Sequence, residues 1–258
     1  MTDKLIVEKK GHVAVITMNN PPANTWTEES LKGLVQVVNE LNEDRDIYSL
    51  VLCSDSDKFF SAGADLNLFA DGDRTVARDM ARYFGEAFET LSQFRGVSIA
   101  AINGFAMGGG LEVALACDIR VAEEQAQMAL PEAKVGLLPC AGGTQNLTML
   151  VGEGWAKRMI LCGERVKAPK AKEIGLVEEL VDTGESTAKA MELAEMVAQQ
   201  SPVAVTACKQ LIQSNRTRHW DHGYMIEREL FVDLFHTEDQ REGVNAFLEK
   251  RAPEWKNK

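Results

Sequence analysis

Strand-type and helix-type patterns of hydrophobic residues alternate along the first half of this chain, and their order predicts the fold class. Residues 5–9 and 12–18 are β-rich and flank Lys10-Gly11, which predicts two strands joined by a hairpin. Asn19-Asn20-Pro21-Pro22 breaks the run. Thr27 then stands as an N-cap, and Leu31, Leu34, Val38 and Leu41 recur at helical spacing as far as about Asn42. Residues 50–53 form a short strand of the buried type. A second helix is predicted over residues 75–94, with Ala77, Met80, Phe84, Phe88 and Leu91 on one face. Residues 99–102 are apolar throughout, as in strands covered on both sides. Asn103-Gly104, a glycine cluster and a small-residue helix over 112–117 follow, and then a strand over 128–130. Such strand–helix–strand order predicts an α/β layered domain.

Beyond about residue 150 the pattern turns helical. Ser201-Pro202 is a helix start, with serine as cap and proline in the first turn, and Thr237-Glu238-Asp239-Gln240 opens the last helix. The final third therefore reads as a helical appendage. Its apolar residues (Met225, Leu230, Phe231, Leu234; Val244, Phe247, Leu248) require a partner, which is either the core or another subunit.

Composition narrows the class. The chain has 258 residues, 45% hydrophobic and 26% charged, enough to bury a large core. Apolar runs such as Val97-Ser98-Ile99-Ala100-Ala101-Ile102 fall far short of a membrane span, and the opening segment mixes charges into a strand. The expected setting is the cytoplasm, or the mitochondrial matrix for a processed chain, with no membrane partner. A net charge of −11 opposes general nucleic-acid binding. The one lysine-rich stretch, Lys167-Ala168-Pro169-Lys170-Ala171-Lys172, meets Glu173 at once and reads as a solvated helix start. The five cysteines include no C-x-x-C pair, and the four histidines (His12, His219, His222, His236) lack metal-ligand spacing, so no metal site is expected. Cys53, Cys117, Cys162 and Cys208 have apolar neighbours and are expected to be buried, whereas Cys140 sits in a Pro-Cys-Ala-Gly-Gly loop and is a candidate pocket lining.

Three segments carry candidate chemistry. Gly108-Gly109-Gly110 lies between a strand and a helix, where the first amides have no intrahelical acceptor and carry partial positive charge. Such a terminus stabilises an anion developing on a bound carbonyl, although a glycine run alone is more often a tight turn or a close helix contact. Ser61-Ala62-Gly63-Ala64-Asp65 has small residues that leave the backbone accessible, so the Ala64 amide is a second candidate donor; Asp65 is of the type that braces such a loop. Glu112 falls in the first turn of an apolar helix, and Glu132 follows Leu130-Pro131. Singly, either is more often solvated than catalytic. Adding water across a double bond, however, needs one group to take a proton and another to deliver one, and paired carboxyls can do both.

Residues 60–66, 101–118, 130–132 and 136–145, with Asp239-Gln240-Arg241-Glu242-Gly243 and Ala246-Phe247-Leu248-Glu249-Lys250-Arg251, resemble in order and spacing the signature segments of the enoyl-CoA hydratase/isomerase (crotonase) superfamily. The resemblance spans nearly the whole chain. It implies a spiral of β-β-α units over residues 1–200 and a C-terminal helical region over 201–258 used in trimer formation, as a homotrimer or a hexamer built from two trimers. It also implies an acyl-CoA thioester substrate and no cofactor beyond the coenzyme A of that substrate. By position, Ala64 and Gly109 match the two oxyanion amides, and Glu112 and Glu132 match the two hydratase glutamates. Ala23, Ala62, Ala64, Asp65, Leu66 and Gly109 match the substrate-contacting positions.

Keeping both glutamates favours hydration over Δ3,Δ2 double-bond isomerisation, and a hydratase for a branched or aromatic-pathway CoA ester is a further alternative. An RNA-binding relative of the same fold is the reading from another class; the acidic balance speaks against it. Cys140 stands where glycine is usual, Asn146 where arginine is frequent, and Asn67 where many relatives carry a lysine toward the nucleotide. These departures concern the nucleotide end and acyl specificity rather than the chemical centre.

Overall fold

In the computed structural model, residues 2–216 and 220–258 are described. Residue 1 and residues 217–219, His219 among them, lie outside the described residues, as do the side chains of residues 220–222, including His222. The strands are β1 (Leu5–Lys10), β2 (Val13–Met18), β3 (Thr25–Trp26), β4 (Ser49–Ser54), β5 (Phe59–Ser61), β6 (Gly63–Ala64), β7 (Val97–Ile102), β8 (Phe105–Met107), β9 (Ile119–Glu123), β10 (Gln127–Ala129), β11 (Val166–Lys167) and β12 (Glu179–Val181). The helices are α1 (Glu28–Glu43), α2 (Arg74–Ser92), α3 (Gly109–Ala116), α4 (Gly143–Leu161), α5 (Ala168–Glu173), α6 (Ser186–Ala198), α7 (Pro202–Ser214), α8 (Trp220–Asp233) and α9 (Glu238–Glu249).

After the antiparallel β1–β2 hairpin, the larger sheet runs parallel in the order β2-β4-β7-β9-β12. A smaller sheet holds β5, β8 and β10 in parallel, with β11 antiparallel at its edge. Each circuit places one strand in the large sheet and the next in the small one, and then a helix follows: β4-β5-α2, then β7-β8-α3. This is the expected spiral of β-β-α units. Period-two side-chain alternation packs the large sheet on both sides. Leu50, Leu52, Ala100 and Ile102 meet Leu31, Leu34, Phe88 and Leu91 of α1 and α2, while Val51, Ile99, Ala101 and Val121 meet Ala190 and Ala194 of α6.

The sequence and the structure part at several points. Helix α2 begins at Arg74 and ends at Ser92; Ala77 is exposed, because the first turns project past the core, and Ala87 joins the buried face instead. Helix α3 starts at Gly109 rather than at residue 112, so two glycines belong to the helix. Cys53 and Cys117 are buried as expected, but Cys162, at the end of α4, and Cys208, within α7, are exposed. In α5 the alanines Ala168 and Ala171 are buried, while Lys172 and the N-cap Lys167 are exposed, as a solvated helix start implies.

Helix α7 docks onto the core through Lys209, whose ammonium donates to the carbonyls of Phe94 (2.6 Å) and Gly96 (2.9 Å) and to Asp118 Oδ2 (2.7 Å). Asp118 follows directly on the end of α3 and also accepts from the Ser98 amide and hydroxyl. Helices α8 and α9 differ. Met225, Phe231, Val244, Phe247 and Leu248 are all exposed, with Phe247 at 83%, so the chain's own core does not cover this apolar face. Among the described residues, no helix is long and apolar enough to cross a membrane.

Candidate active site

The site forms where the N-terminus of α3 meets β6. Gly108, the N-cap, has φ 54° and ψ −126°, a backbone that glycine adopts without a Cβ penalty. Its carbonyl accepts from the amides of Leu111 (2.8 Å) and Glu112 (2.9 Å). Gly109 is the first helical residue, so its N–H has no intrahelical acceptor and lies at the positive end of the helix dipole. Gly63, at φ 88°, brings β6 against this terminus: a Cβ there would fall 3.0 Å from the Gly109 nitrogen and 2.6 Å from the Met107 carbonyl oxygen. Strand β6 pairs in turn with β3, in the register Thr25↔Gly63 and Trp26↔Ala64, and the Ala62 amide donates to the Ala23 carbonyl at 2.9 Å. Ala23, Ala62, Ala64 and Gly109 are thus drawn to one place from three parts of the chain. Asp65 Oδ1 accepts from the Asn67 amide (3.0 Å) and side chain (2.8 Å), bracing a 3₁₀ turn over Leu66–Phe69 whose Leu66 is exposed.

The two glutamates occupy unequal surroundings. Glu112 is 2% exposed, and its Oε1 accepts from the amides of Ala141 (2.8 Å) and Gly143 (2.9 Å), the latter the first residue of α4. Burial raises its pKa, and the amides of Ala141, Gly143 and Cys140 oppose that rise without cancelling it. Glu132 opens a 3₁₀ turn, and its Oε2 is buried with no hydrogen-bond partner among the described residues. Burial pushes this carboxyl up to about 7; its own backbone amide opposes the rise, and the charge of Glu112 adds to it. The side chain reaches the N-cap of α3, since a Cβ on Gly108 would lie 3.2 Å from Glu132 Oε1.

Cys140 stands beside the pair. The residue is open to solvent, yet desolvation of its sulfur and the charges of Glu112 and Glu132 push the thiol up to about 11, so it remains neutral near pH 7. Sequence reasoning missed the donors that hold Glu112. The available signal was Gly142-Gly143: Gly142 is left-handed at φ 90°, and a Cβ on Gly143 would lie 2.8 Å from Glu112 Oε1.

At its far end α3 is fixed by Arg120, 2% exposed, whose Nη1 donates to the carbonyls of Cys117 (2.8 Å) and Ala114 (3.4 Å) while Nη2 meets Glu178 Oε1 at 2.6 Å. A two-turn helix opening with two glycines has little intrinsic stability, so anchors at both ends are what hold its first amides in place.

Comparison with known proteins agrees with this geometry. Residues 8–258 match the family described as enoyl-CoA hydratase/isomerase. The chain is 38% identical over 250 residues to a short-chain-enoyl-CoA hydratase of Clostridium acetobutylicum, covering 96% of each chain. It is likewise 38% identical over 257 residues to a 2,3-dehydroadipyl-CoA hydratase of Escherichia coli, covering 99% of each. Among solved structures, Pseudomonas aeruginosa DspI shares 67% identity with a TM-score of 0.97, over 99% of this chain and 97% of that one. An enoyl-CoA hydratase from Bacillus anthracis gives a TM-score of 0.95 at 36% identity, over 99% of this chain and 100% of that one. With the spiral, the glycine-built terminus and the paired glutamates all in place, this chain belongs to the enoyl-CoA hydratase/isomerase family.

Proposed function

We propose that the chain is an enoyl-CoA hydratase, adding water reversibly to a trans-2-enoyl-CoA to give a 3-hydroxyacyl-CoA. The observation that carries this reading is the inequality of the two carboxyls: Glu112 holds two amide donors on one oxygen, while Glu132 has a buried oxygen with none. Donors on an oxygen favour the anion, and bare burial favours the neutral acid. Glu112 then orients a water and takes one of its protons, and Glu132 delivers a proton to the α-carbon. The water oxygen bonds to the β-carbon as the electron pair of the double bond moves toward the thioester oxygen. The resulting enolate is stabilised by the amides of Ala64 and Gly109, and it collapses as the α-carbon takes up the proton of Glu132. Glu112 ends protonated and Glu132 ionised; exchange with solvent restores the starting state. Hydration passes no electrons to an acceptor, so the reading calls for no redox cofactor, and coenzyme A enters with the substrate.

Ala23, Ala62, Asp65 and Leu66 are read as the run along which the rest of the thioester lies, since the Ala62–Ala23 bond and the Asp65 turn flank Ala64. The uncovered apolar face of α8 and α9 supports a homotrimer, or a hexamer of two trimers. The direct test is a panel of enoyl-CoA thioesters followed by mass detection. Products heavier by one water are expected; products of unchanged mass with a shifted double bond would replace hydratase by isomerase.

The pH profile follows from the same pair. In the hydration direction Glu132 must be protonated, so kcat is expected to fall as pH rises through about 7. Glu112 must be ionised, so kcat is also expected to fall on the acid side. Both limbs are apparent values of the coupled pair rather than of one residue. A kcat that stays level from neutral into alkaline solution would remove Glu132 as the acid.

A further inference from the structure

A cavity of about 420 Å³ opens between the end of α1, the start of β7, α7 and α8, and neither Glu112 nor Glu132 lines it. Two guanidiniums face it. Arg95 donates from Nε to the Asn42 carbonyl (3.0 Å) and from Nη2 to the carbonyls of Asp44 (2.6 Å) and Ile47 (2.8 Å). These bonds fix the group while leaving Nη1 with no partner among the described residues. Arg45 gives one N–H to the Asn257 carbonyl at 2.8 Å. Among the described residues neither arginine is ion-paired; the carboxylate of Asp44 is held by Lys9 at 2.5 Å.

Burial and the adjacent charge of Arg45 hold Arg95 below the usual arginine range, although Asp44 and Tyr48 act the other way. On a chain of net charge −11, two like charges on one concavity form an arrangement that a bound anion relieves. Lys258, whose ammonium is paired with Glu238 Oε1 at 3.9 Å, and the carboxylate of Asp233 also line the space, so the two arginines are its unpaired cations among the described residues. The opposite wall is apolar, built from Val203 and Ala207 of α7, Leu230 of α8 and Leu234 of the 3₁₀ turn that follows it. A bare inorganic anion would leave that wall wet, whereas an alkyl chain would cover it.

We propose that this cavity binds a fatty carboxylate, with its head group on Arg45 and Arg95 and its chain along the α7–α8 wall. The site is separate from the paired glutamates, and the assignment does not depend on the hydratase reading. A pocket that pairs a cationic end with an apolar side selects for charge and chain together.

Calorimetric titration of the full chain with decanoate, decan-1-ol and inorganic phosphate tests this. Decanoate is expected to bind saturably. Arg45→Gln is expected to weaken it by about tenfold or more, as loss of a charge-assisted contact does. Ala207→Trp, which fills the cavity, is expected to abolish it. Both variants are expected to turn over crotonyl-CoA as the unaltered chain does. Absence of saturable decanoate binding overturns the proposal, and so does binding that both substitutions leave unchanged. Equal binding of the alcohol would show that the arginines play no part, and equal binding of phosphate would remove the alkyl chain; either result also overturns it.

Discussion

Glu132→Gln is expected to lower kcat for crotonyl-CoA hydration by about a thousandfold, within the range that a positioned general acid contributes. Glutamine keeps the shape of the side chain but has no acidic proton to give to carbon. The alkaline limb near pH 7 should disappear with it, because the group that titrates there is gone. Glu112→Gln should cost a similar factor for the opposite reason: its amide oxygen can still accept from Ala141 and Gly143, so the loop stays in place, but the base is lost. The double variant should lie within about tenfold of either single one, as groups that act as a unit are not additive. Steady-state kinetics on the three variants checks this. Turnover by either single variant within about tenfold of the parent would contradict a two-carboxyl mechanism.

Gly110→Ala is expected to be the most damaging substitution of a single methyl group near the site. The added Cβ would fall 2.1 Å from the Ser61 carbonyl oxygen and 2.7 Å from its carbon, both backbone atoms that cannot rotate away. Helix α3 must then shift away from β5. Overpacking of this kind costs about 1–3 kcal/mol, which lowers Tm by roughly 2–4 °C for each kcal/mol in a chain of this size. The larger effect is on catalysis, since the Gly109 amide moves with the helix, and a misplacement of about 1 Å can cost about a hundredfold in rate. Gly154→Ala is the control: it lies inside α4 with nothing within 4 Å of its would-be Cβ, and it should leave both Tm and kcat/KM near the parent values. Melting curves and kcat/KM for the pair decide the matter, and parental behaviour of Gly110→Ala would show that α3 and β5 are not in such close contact.

Elements whose signals are local were legible in the chain. Thr27 caps α1 as its position suggested, reciprocally with Ser30, and the apolar run of β7 is buried between two layers of helix. Glu112 and Glu132 could be singled out because Gly108-Gly109-Gly110 precedes one and Leu130-Pro131 the other, in the order of the family's segments. What escaped depends on contacts distant in sequence. The start of α3 was set too late because glycines weigh against helix, whereas here Gly109 and Gly110 make room for the Phe84 ring and the Ser61 carbonyl. Cys162 and Cys208 have apolar neighbours along the chain, yet both are exposed, because neighbours in sequence do not decide which face of a helix meets the core. The amides that hold Glu112 belong to Ala141 and Gly143, and a backbone N–H leaves no mark on residue identity.

Lys209 has a consequence for which parts of the chain are free to change. Its three protons are spent on two carbonyls and on the carboxylate of Asp118, just past the C-cap of α3, in a place 9% exposed. Removing one partner of such a buried pair costs about 3–5 kcal/mol, because the other charge is stranded. Helix α7 is therefore bound to the junction at the end of α3, while α8 and α9 carry Phe231 and Phe247 outward on an exposed surface. Substitutions on the exposed apolar faces of α8 and α9 leave the bonds of Lys209 untouched. A change at position 209 would reach α3 first, through Asp118.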